Sequence, residues 1–258
     1  MAADDYLDFC TGVKRIAGVD LTQYKRAQME RRIRSYVDRQ RVRTLGEFLR
    51  EIERDRATLD GFLDRVTINV SELYRNPEQY ETLRSKVLPE LRRGSSIKIW
   101  SAGCSYGAEA YTLACLVSEA LPGARWEISG SDLDRRIVER AQRGCFSQAD
   151  MRNVPPNVRA KYFRPDGEGW LAQDGLRRQL RFRVEDLLHA RYPTGLDLVL
   201  CRNVVIYFND DARNHVHRGI AGALRPGGYL MVGATERVTD PASIGLEPAY
   251  PFIYRKVG

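Results

Sequence analysis

Acidic side chains stand directly after two apolar segments of the sequence, where a carboxylate could hold a ligand. The first segment, IWSAGCSYGAEAYTLA (residues 99–114), contains a glycine turn followed by Glu109. The second segment, WEISGSDLD, ends in Asp132 and Asp134. An acid at a strand end can accept ribose hydroxyls, and an acid after a glycine turn would meet an ammonium group. The pattern predicts a ligand with a ribose and a positive charge.

The glycine turn differs from the loops that bind phosphates. A dinucleotide fingerprint needs G-x-G-x-x-G, and a P-loop needs G-K-[ST]. The turn from Gly103 to Gly107 has neither pattern, and no lysine follows it. The missing lysine and the nearby Glu109 disfavour a polyphosphate. S-adenosylmethionine has a ribose, an ammonium group and a carboxylate but no phosphate, so these residues favour it.

Other interpretations of the same residues remain at this point. Gly103 and Gly107 could be ordinary turn residues. Asp132 and Asp134 could cap a helix, or bind a metal as a D-x-D pair. The metal interpretation is the weaker one, because no histidine or further acidic cluster stands beside the pair.

Strands that alternate with helices must position these side chains. After about residue 95, apolar strand patterns alternate with helical patterns such as 108–121 and 210–224; the strand patterns cover 97–100, 126–134, 196–203, 229–235 and the final FIYRKV. This alternation predicts an α/β fold with a doubly wound parallel sheet, whose ligand lies at the carboxyl ends of the strands. Residues 145–184 are the exception, because turn signals and alternation there predict a small antiparallel β insertion.

The first part of the chain has helical periodicity instead. Apolar residues recur at helical spacing in three stripes: Met29, Ile33 and Val37; Leu45, Phe48, Leu49 and Ile52; Phe62, Leu63 and Val66. Thr44 and Glu47 form the sequence pattern of a capping box. We therefore predict a small all-α domain over 1–73, followed by the ligand-binding α/β domain over 74–258.

Composition and charge narrow the classes of protein. The chain has 258 residues and a formal net charge of +7. No apolar run reaches the roughly 18 residues that span a membrane, and the acidic N-terminus is unlike a signal peptide. Its five cysteines form no C-x-x-C pair. These features predict a reduced cytoplasmic protein without a structural metal and without membrane insertion.

The positive charge is concentrated in one predicted helix. Residues 24–43 hold eight basic and two acidic residues. The stretch could be a solvated helix face, or a docking site for nucleic acid, an anionic membrane or an acidic protein helix.

Several separated motifs resemble the chemotaxis receptor methyltransferases of the CheR family. They are IWSAGCSYGAEAYTLA, SDLDRRIVERA and LVLCRNVVIYF, with TINVSELYRNPEQY (residues 67–80) ahead of them. The resemblance covers nearly the whole chain. It implies an enzyme of signal transduction that transfers methyl from S-adenosylmethionine to receptor glutamates, leaving γ-glutamyl methyl esters and S-adenosylhomocysteine.

The resemblance also implies roles for individual residues. It places Asn69, Ser71 and Arg75 at the methionine end of the cofactor, Glu109 after the Gly103 turn and Asp132 at the ribose. The remaining matches are Asp186 and Leu187 beside the adenine, Arg202 and Asn203 at the end of the fourth strand, and Tyr207 facing the methyl group. Arg75 and Tyr207 are the expected catalytic residues.

The chain departs from the family pattern at a few of these positions. Gly107-Ala-Glu-Ala-Tyr111 stands where the family often has G-E-E-P-Y, Asp186 where it usually has Asn, and Ser71 where Thr is common. An aspartate at 186 keeps a hydrogen-bond acceptor but loses the amide donor.

Three rival classes fit the residues less well. A nucleic-acid methyltransferase would carry D/N-P-P-aromatic or a Pro-Cys nucleophile, and residues 153–157 (NVPPN) match neither. A small-molecule methyltransferase would not explain the basic helix. A non-catalytic signalling module would not need Arg75, Glu109, Asp132 and Tyr207 together.

The expected partner is the cytoplasmic helical bundle of chemoreceptors, whose methylation sites are glutamates. Met29, Ile33 and Val37 should face the core, so Arg31, Arg32 and Arg34 should present charge across the exposed face. We expect these arginines to dock the enzyme on the receptor. A monomer, recruited to membrane receptor arrays through protein contacts, is predicted.

Overall fold

In the computed structural model, which describes residues 4–66, 71–91 and 96–258, the chain forms a helical unit and a larger unit built on a seven-stranded sheet. The helical unit comprises Met1–Asn69 and Ile206–Arg213, and the larger unit comprises Val70–Val205 and Asn214–Gly258. Asn69, one of the predicted cofactor residues, lies outside the described residues. None of the helices in the described ranges has the length and apolar character to cross a membrane.

The helical unit contains the predicted apolar stripes and one further helix. Its helices are α1 (Asp5–Ala17), α2 (Arg26–Arg39), α3 (Leu45–Arg54) and α4 (Arg56–Val66). Met29, Ile33 and Val37 of α2 are buried, as predicted. Phe9, Phe48 and Phe62 bring three helices together, with ring centroids 5.4–6.2 Å apart. Helix α1 was not predicted, although Asp4 caps its start and left-handed Gly18 ends it.

Local hydrogen bonds define the connections of the helical unit. Thr44 Oγ1 accepts from the Glu47 amide at 3.1 Å, but Glu47 Oε2 accepts from the Arg43 amide rather than from Thr44. The predicted capping box is therefore only half formed. Asp20, which is buried, accepts from the Thr22 amide at 3.1 Å and from Lys14 Nζ at 2.7 Å, and so fixes the turn before α2.

A segment from the second half of the chain belongs to the helical unit. The Asn209 amide donates to the Gln23 carbonyl at 2.8 Å, and the Lys25 amide donates to the Tyr207 carbonyl at 2.9 Å. The rings of Tyr24 and Phe208 pack edge to face, 5.1 Å apart. Paired backbone groups and buried aromatic area hold the segment there.

The larger unit is organised around a mixed sheet with a parallel centre. The strands of this sheet are β1 (Ile97–Ala102), β2 (Trp126–Asp132), β6 (Leu180–Val184), β7 (Leu196–Cys201), β8 (Leu224–Val232), β9 (Leu246–Tyr250) and β10 (Ile253–Lys256). They lie in the order β6-β2-β1-β7-β8-β10-β9 across the sheet. The first five in this order are parallel to one another, and β10 is antiparallel to both of its neighbours. The predicted parallel arrangement is confirmed at the centre, and the antiparallel edge adds to it.

Helices pack around this sheet. They are α5 (Pro77–Thr82), which continues through a π-turn at Leu83–Val87 into α6 (Leu88–Leu91), then α7 (Ala108–Ala120), α8 (Arg135–Arg143), α9 (Pro156–Tyr162), α10 (Asp174–Arg177) and α11 (Asp210–Ala223). Every residue of β7 is buried, as are the first ten of α7. The strand ends and the start of α7 are therefore held by a close-packed core.

The insertion is antiparallel, as predicted, but ends earlier than expected. Strands β3 (Cys145–Phe146), β5 (Gly169–Ala172) and β4 (Phe163–Asp166) form a separate three-stranded sheet. Leu180–Val184, assigned to the insertion by its sequence pattern, pairs instead in parallel with β2 in the main sheet. Helix α11 ends at Ala223, within one residue of its predicted end at 224, whereas β8 starts at Leu224 rather than at the predicted 229.

All five cysteines are free thiols. Cys10, Cys104, Cys115 and Cys201 are buried, and Cys145 is partly exposed. Burial is the largest cause that raises the pKa of each of the four buried thiols. These four side chains are therefore neutral packing residues at neutral pH.

Candidate functional site

The glycine turn follows β1 and has an unusual backbone. Gly103, Ser105 and Gly107 all have left-handed φ angles, of 75°, 50° and 89°. The amides of Gly103 and Cys104 donate to the Ser131 carbonyl at 2.8 and 2.9 Å, which ties the turn to β2. A Cβ at Gly103 would lie 2.4 Å from Val204 Cγ2. Glycine is therefore required there both for its φ and for the close approach of the segment after β7.

Asp132 lies at the carboxyl end of β2, beside this turn. Its Oδ2 accepts from the Ser105 amide at 2.8 Å, and its Oδ1 accepts from the Asp134 amide at 3.2 Å. Burial raises the pKa of Asp132, against the lowering effect of the Asp134 and Ser105 amides. Each oxygen keeps a second lone pair, so the ionised side chain can still accept hydroxyl groups.

The two acids of the SDLD motif have different roles. Asp134 Oδ1 accepts from the amides of Arg136 and Ile137 at 2.9 and 3.3 Å, so Asp134 is the N-cap of α8. Among the residues that the structure describes, no group of three or more His, Cys, Asp or Glu is placed to hold a metal ion. The capping interpretation is therefore confirmed for Asp134, and the ligand role of Asp132 stays a prediction.

Glu109 lies in the first turn of α7, where the helix dipole favours a negative charge. The residue is 9% exposed; its Oε1 accepts from Ser101 Oγ at 2.7 Å and its Oε2 from Arg202 Nη1 at 3.2 Å. After burial, the charges of Asp132 and Glu109 are the next causes that raise the pKa of Cys104. Both carboxylates therefore lie near the same turn, as the sequence predicted.

Arg202 and Asn203 follow β7, and their side chains and backbone have separate partners. The Arg202 side chain is 2% exposed and is turned into the protein. Asn203 has a left-handed φ of 59°. Its amide donates to Glu236 Oε2 at 2.8 Å, and the Gly233 amide donates to the same oxygen at 2.6 Å. Buried Glu236, which the sequence analysis missed, thus joins the ends of β7 and β8.

Asp186 and Leu187 follow the edge strand β6. The Glu185 amide donates to the Asp132 carbonyl at 2.8 Å, which holds this segment beside Asp132. Asp186 accepts from the Leu188 amide at 2.9 Å and pairs with His189 Nδ1 at 2.8 Å, so its carboxylate stabilises its own turn. Leu187 is buried and supplies an apolar surface next to the strand ends.

Ser71 and Arg75 line one cavity of about 250 Å³, together with Glu72, Ala149, Asp150 and Arg152. Tyr106, from the glycine turn, donates to Asp150 Oδ1 at 2.8 Å and contacts the Ser71 carbonyl. The guanidinium of Arg140 lies 3.9 Å from the centre of the Tyr106 ring. Tyr106 and Asp150 were not predicted, although a tyrosine inside a glycine turn was a visible signal.

The residues at the strand ends fit a ligand with a ribose and an ammonium group. Asp132 has acceptor capacity for hydroxyls, and Glu109 is a buried carboxylate beside the same turn. Ser105 Oγ is buried and has no hydrogen-bond partner within the described ranges. Leaving such a group unpaired costs about 1–3 kcal/mol, so a polar ligand atom placed there would be stabilising.

The predicted docking arginines and Tyr207 lie in the helical unit. Arg32 Nη1 donates to the Val66 carbonyl at 2.7 Å, and its guanidinium lies 5.7 Å from the Tyr207 ring centre. Arg34 pairs with Asp5 at 2.7 Å and with Glu30 at 2.8 Å. Arg31 is exposed and has no ion pair in the described part of the chain. The helix therefore presents less unpaired charge than its sequence suggested.

A parallel sheet with a glycine turn after its first strand and an acid at the end of its second is the arrangement of an S-adenosylmethionine-dependent methyltransferase. Residues 69–246 match the CheR methyltransferase SAM-binding domain, and residues 4–67 match the CheR methyltransferase all-alpha domain. The chain belongs to the CheR methyltransferase family.

Its relatives cover nearly the whole chain. It is 37% identical over 254 residues to a chemotaxis protein methyltransferase of Listeria innocua, covering 98% of this chain and 97% of the relative. It is 30% identical over 249 residues to chemotaxis protein methyltransferase 1 of Pseudomonas aeruginosa, covering 92% and 91%. The predicted family, the fold class and the S-adenosylmethionine-dependent methyltransferase activity in chemotaxis are confirmed.

Proposed function

We propose that the enzyme methylates glutamate side chains of chemoreceptors and forms γ-glutamyl methyl esters. The match of both parts of the chain to the CheR family is the observation that carries this proposal. Glutamates on the cytoplasmic helical bundle of the receptors are the acceptors. The enzyme acts in the cytoplasm as a monomer and reaches receptor arrays through protein contacts.

The cofactor-binding roles follow the geometry at the strand ends. Asp132 accepts the ribose hydroxyls, Glu109 faces the ammonium group, and the Gly103 turn lies against the ligand between them. Leu187 provides an apolar contact for the adenine, and Asp186 lies beside it. Asn203 contacts the cofactor from the turn that its own amide forms with Glu236. Ser71 and Arg75 take the methionine end, with Asn69 ahead of them in the sequence.

Methyl transfer to a glutamate requires that the two reactants be positioned, and it does not require a general base. A glutamate has a pKa of about 4.3 in water, so the acceptor is already ionised at neutral pH. S-adenosylmethionine supplies a methyl group on a sulfonium, and its transfer to a carboxylate oxygen needs no proton transfer. Positioning alone is worth roughly 7–11 kcal/mol in favourable cases. Arg75 would bind a carboxylate of cofactor or substrate, and Tyr207 would donate its hydroxyl to the incoming glutamate.

We also propose that residues 1–73 form the receptor-docking domain and 74–258 the methyltransferase domain. Arg31 is the strongest docking candidate, because its charge is exposed and is not shared with an acid of the described chain. Arg32 and Arg34 extend the positive surface, although Asp5 and Glu30 partly neutralise Arg34. An acidic receptor helix is the complementary surface.

Labelled methyl transfer tests the proposal. The purified enzyme is incubated with methyl-labelled S-adenosylmethionine and receptor-rich membranes, and the product is treated briefly with alkali. We expect the label on receptor protein and its release as volatile methanol, because esters hydrolyse under these conditions. Receptors whose methylated glutamates are replaced by alanine are the control. Label that resists alkali, or that enters nucleic acid, would contradict the proposal.

A further inference from the structure

The guanidinium of Arg202 is completely occupied by protein groups. Its Nε donates to Gln79 Oε1 at 3.1 Å. Nη1 donates to Tyr80 Oη at 2.9 Å and to Glu109 Oε2 at 3.2 Å. Nη2 donates to the Arg75 carbonyl at 2.8 Å, to Asn76 Oδ1 at 3.1 Å and to Gln79 Oε1 at 2.7 Å. An arginine has five N–H donors, so none is left for a ligand.

Two of the three acceptors on Nη2, the Arg75 carbonyl and Asn76 Oδ1, belong to a strained turn around Arg75. Tyr74 and Asn76, on either side of Arg75, have left-handed φ angles of 55° and 61°. Non-glycine residues adopt this conformation at a cost, and surrounding contacts must maintain it. Arg202 supplies two such contacts, one to the Arg75 carbonyl and one to Asn76. The direction of the Arg75 side chain depends on this turn.

The Nη1 side of the guanidinium faces Glu109, a buried carboxylate that needs a countercharge. Tyr80, Glu236, Cys104 and Cys201 also lie around the pair. Burial raises the pKa of Tyr80 and of both thiols, so these three groups are neutral at neutral pH. Arg202 is therefore the cation that pairs directly with Glu109, at 3.2 Å, and holds its carboxylate beside the turn.

We propose that Arg202 is a positioning residue with two separable tasks and that its side chain does not itself bind the cofactor. Its charge holds Glu109 ready for the ammonium group, and its fork holds the turn that aims Arg75. This role rests on the proposed function and replaces the direct cofactor contact that the sequence motif suggested for Arg202. Lysine would keep the charge but could not reproduce the fork, whereas glutamine would lose the charge.

Two substitutions of Arg202 separate the tasks. In Arg202→Gln, Glu109 is left without the cation that holds it. Affinity for S-adenosylhomocysteine, measured by calorimetry, should fall about 10- to 150-fold. Adding Glu109→Gln to Arg202→Gln should cost little further affinity, because Glu109 is then no longer held in place. In Arg202→Lys, affinity should stay within a few-fold of wild type while turnover falls.

Arg225→Gln is the matched control. Arg225 Nε donates to the buried Asp197 at 2.6 Å, where β7 and β8 begin, at the other end of the sheet. It should lose stability without changing affinity or turnover. Arg202→Gln with the cofactor affinity of Arg225→Gln, or Arg202→Lys with wild-type turnover, would overturn the role. Should Arg202→Gln not fold, Arg202→Lys alone decides. A wild-type enzyme that binds no S-adenosylhomocysteine would instead refute the proposed function, and with it this role.

Discussion

Replacing Asp132 by alanine should weaken cofactor binding because the ribose loses its hydrogen-bond acceptor. The side chain loses its acceptor oxygens, and the amides of Ser105 and Asp134 lose their partners. A hydrogen bond to a charged group is worth about 1.5–3 kcal/mol. Since about 1.4 kcal/mol is a factor of ten, we expect affinity for S-adenosylhomocysteine to fall about 10- to 150-fold.

A thermodynamic cycle isolates the ribose contact from any loosening of the turn. Calorimetry compares S-adenosylhomocysteine with its 2′,3′-dideoxy analogue on wild type and on Asp132→Ala. Wild type should discriminate strongly between the two ligands, and Asp132→Ala should not. Asp132→Asn is a second variant: it keeps the size, but its amide nitrogen cannot accept from the Ser105 or Asp134 amide.

The pH dependence has a defined direction. The pKa of Asp132 is raised by burial, and ribose hydroxyls require the ionised form. As the pH falls through that raised pKa, wild-type affinity should decline, and Asp132→Ala should lack this decline. Equal discrimination between the ribose and dideoxy ligands by both proteins would refute the assignment, whatever the total loss of affinity.

Three further predictions concern the helical unit. Asp20→Ala should lower the unfolding free energy by about 1–2 kcal/mol in urea titrations. Burial opposes ionisation of Asp20, but hydrogen bonds from Lys14 and Thr22 hold its pKa below the ordinary 3.8. The stability that ionised Asp20 contributes should therefore be fully present above pH 3.8. It should be lost as the pH falls through the lowered pKa. Arg31→Glu should slow receptor methylation and leave cofactor affinity unchanged. Wild-type methylation of receptors should also slow as salt rises, because the Debye length falls from about 10 Å at 0.1 M to about 3 Å at 1 M. Tyr207→Phe should reduce labelled methyl transfer.

Each of these predictions has its own comparison. Arg34→Glu should lower thermal stability as well as activity, because it leaves Asp5 and Glu30 without their shared partner. Arg31→Glu with wild-type rates at low salt would identify the stretch as a solvated face only. If Tyr207→Phe is fully active, the Tyr207 hydroxyl has no catalytic role. An unchanged urea midpoint for Asp20→Ala would contradict the role of Asp20 in the turn before α2.

Local patterns were enough to predict the acidic residues at the strand ends. Asp132 and Glu109 follow strand and turn signals within a few positions, and parallel strands necessarily bring their carboxyl ends to one edge. The role of Arg202 could not be predicted in this way. Its partners Gln79, Tyr80 and Glu109 lie 123, 122 and 93 positions away in sequence, so no window of the sequence contains the hydrogen bonds that occupy it.

Contacts between residues far apart in sequence also explain the misassigned strand and the unexpected segment of the helical unit. Leu180–Val184 alternates like a hairpin strand, and only its pairing with β2 reveals that it belongs to the main sheet. The contacts of Tyr207 and Phe208 with Tyr24 and Lys25 join parts of the chain that show no sequence signal of contact. Periodicity predicts which face of an element is apolar, but not which partner covers it.

The burial of four cysteines has a consequence for how the enzyme withstands oxidants. A thiol reacts as its thiolate, and the buried Cys10, Cys104, Cys115 and Cys201 are both inaccessible and held protonated. Partly exposed Cys145, in the small antiparallel sheet, is the thiol open to attack without any opening of the core. Oxidative damage to the folded enzyme should therefore begin at Cys145 in the insertion. Oxidation of Cys104 or Cys201, which lie at the strand ends, would show that the core had opened.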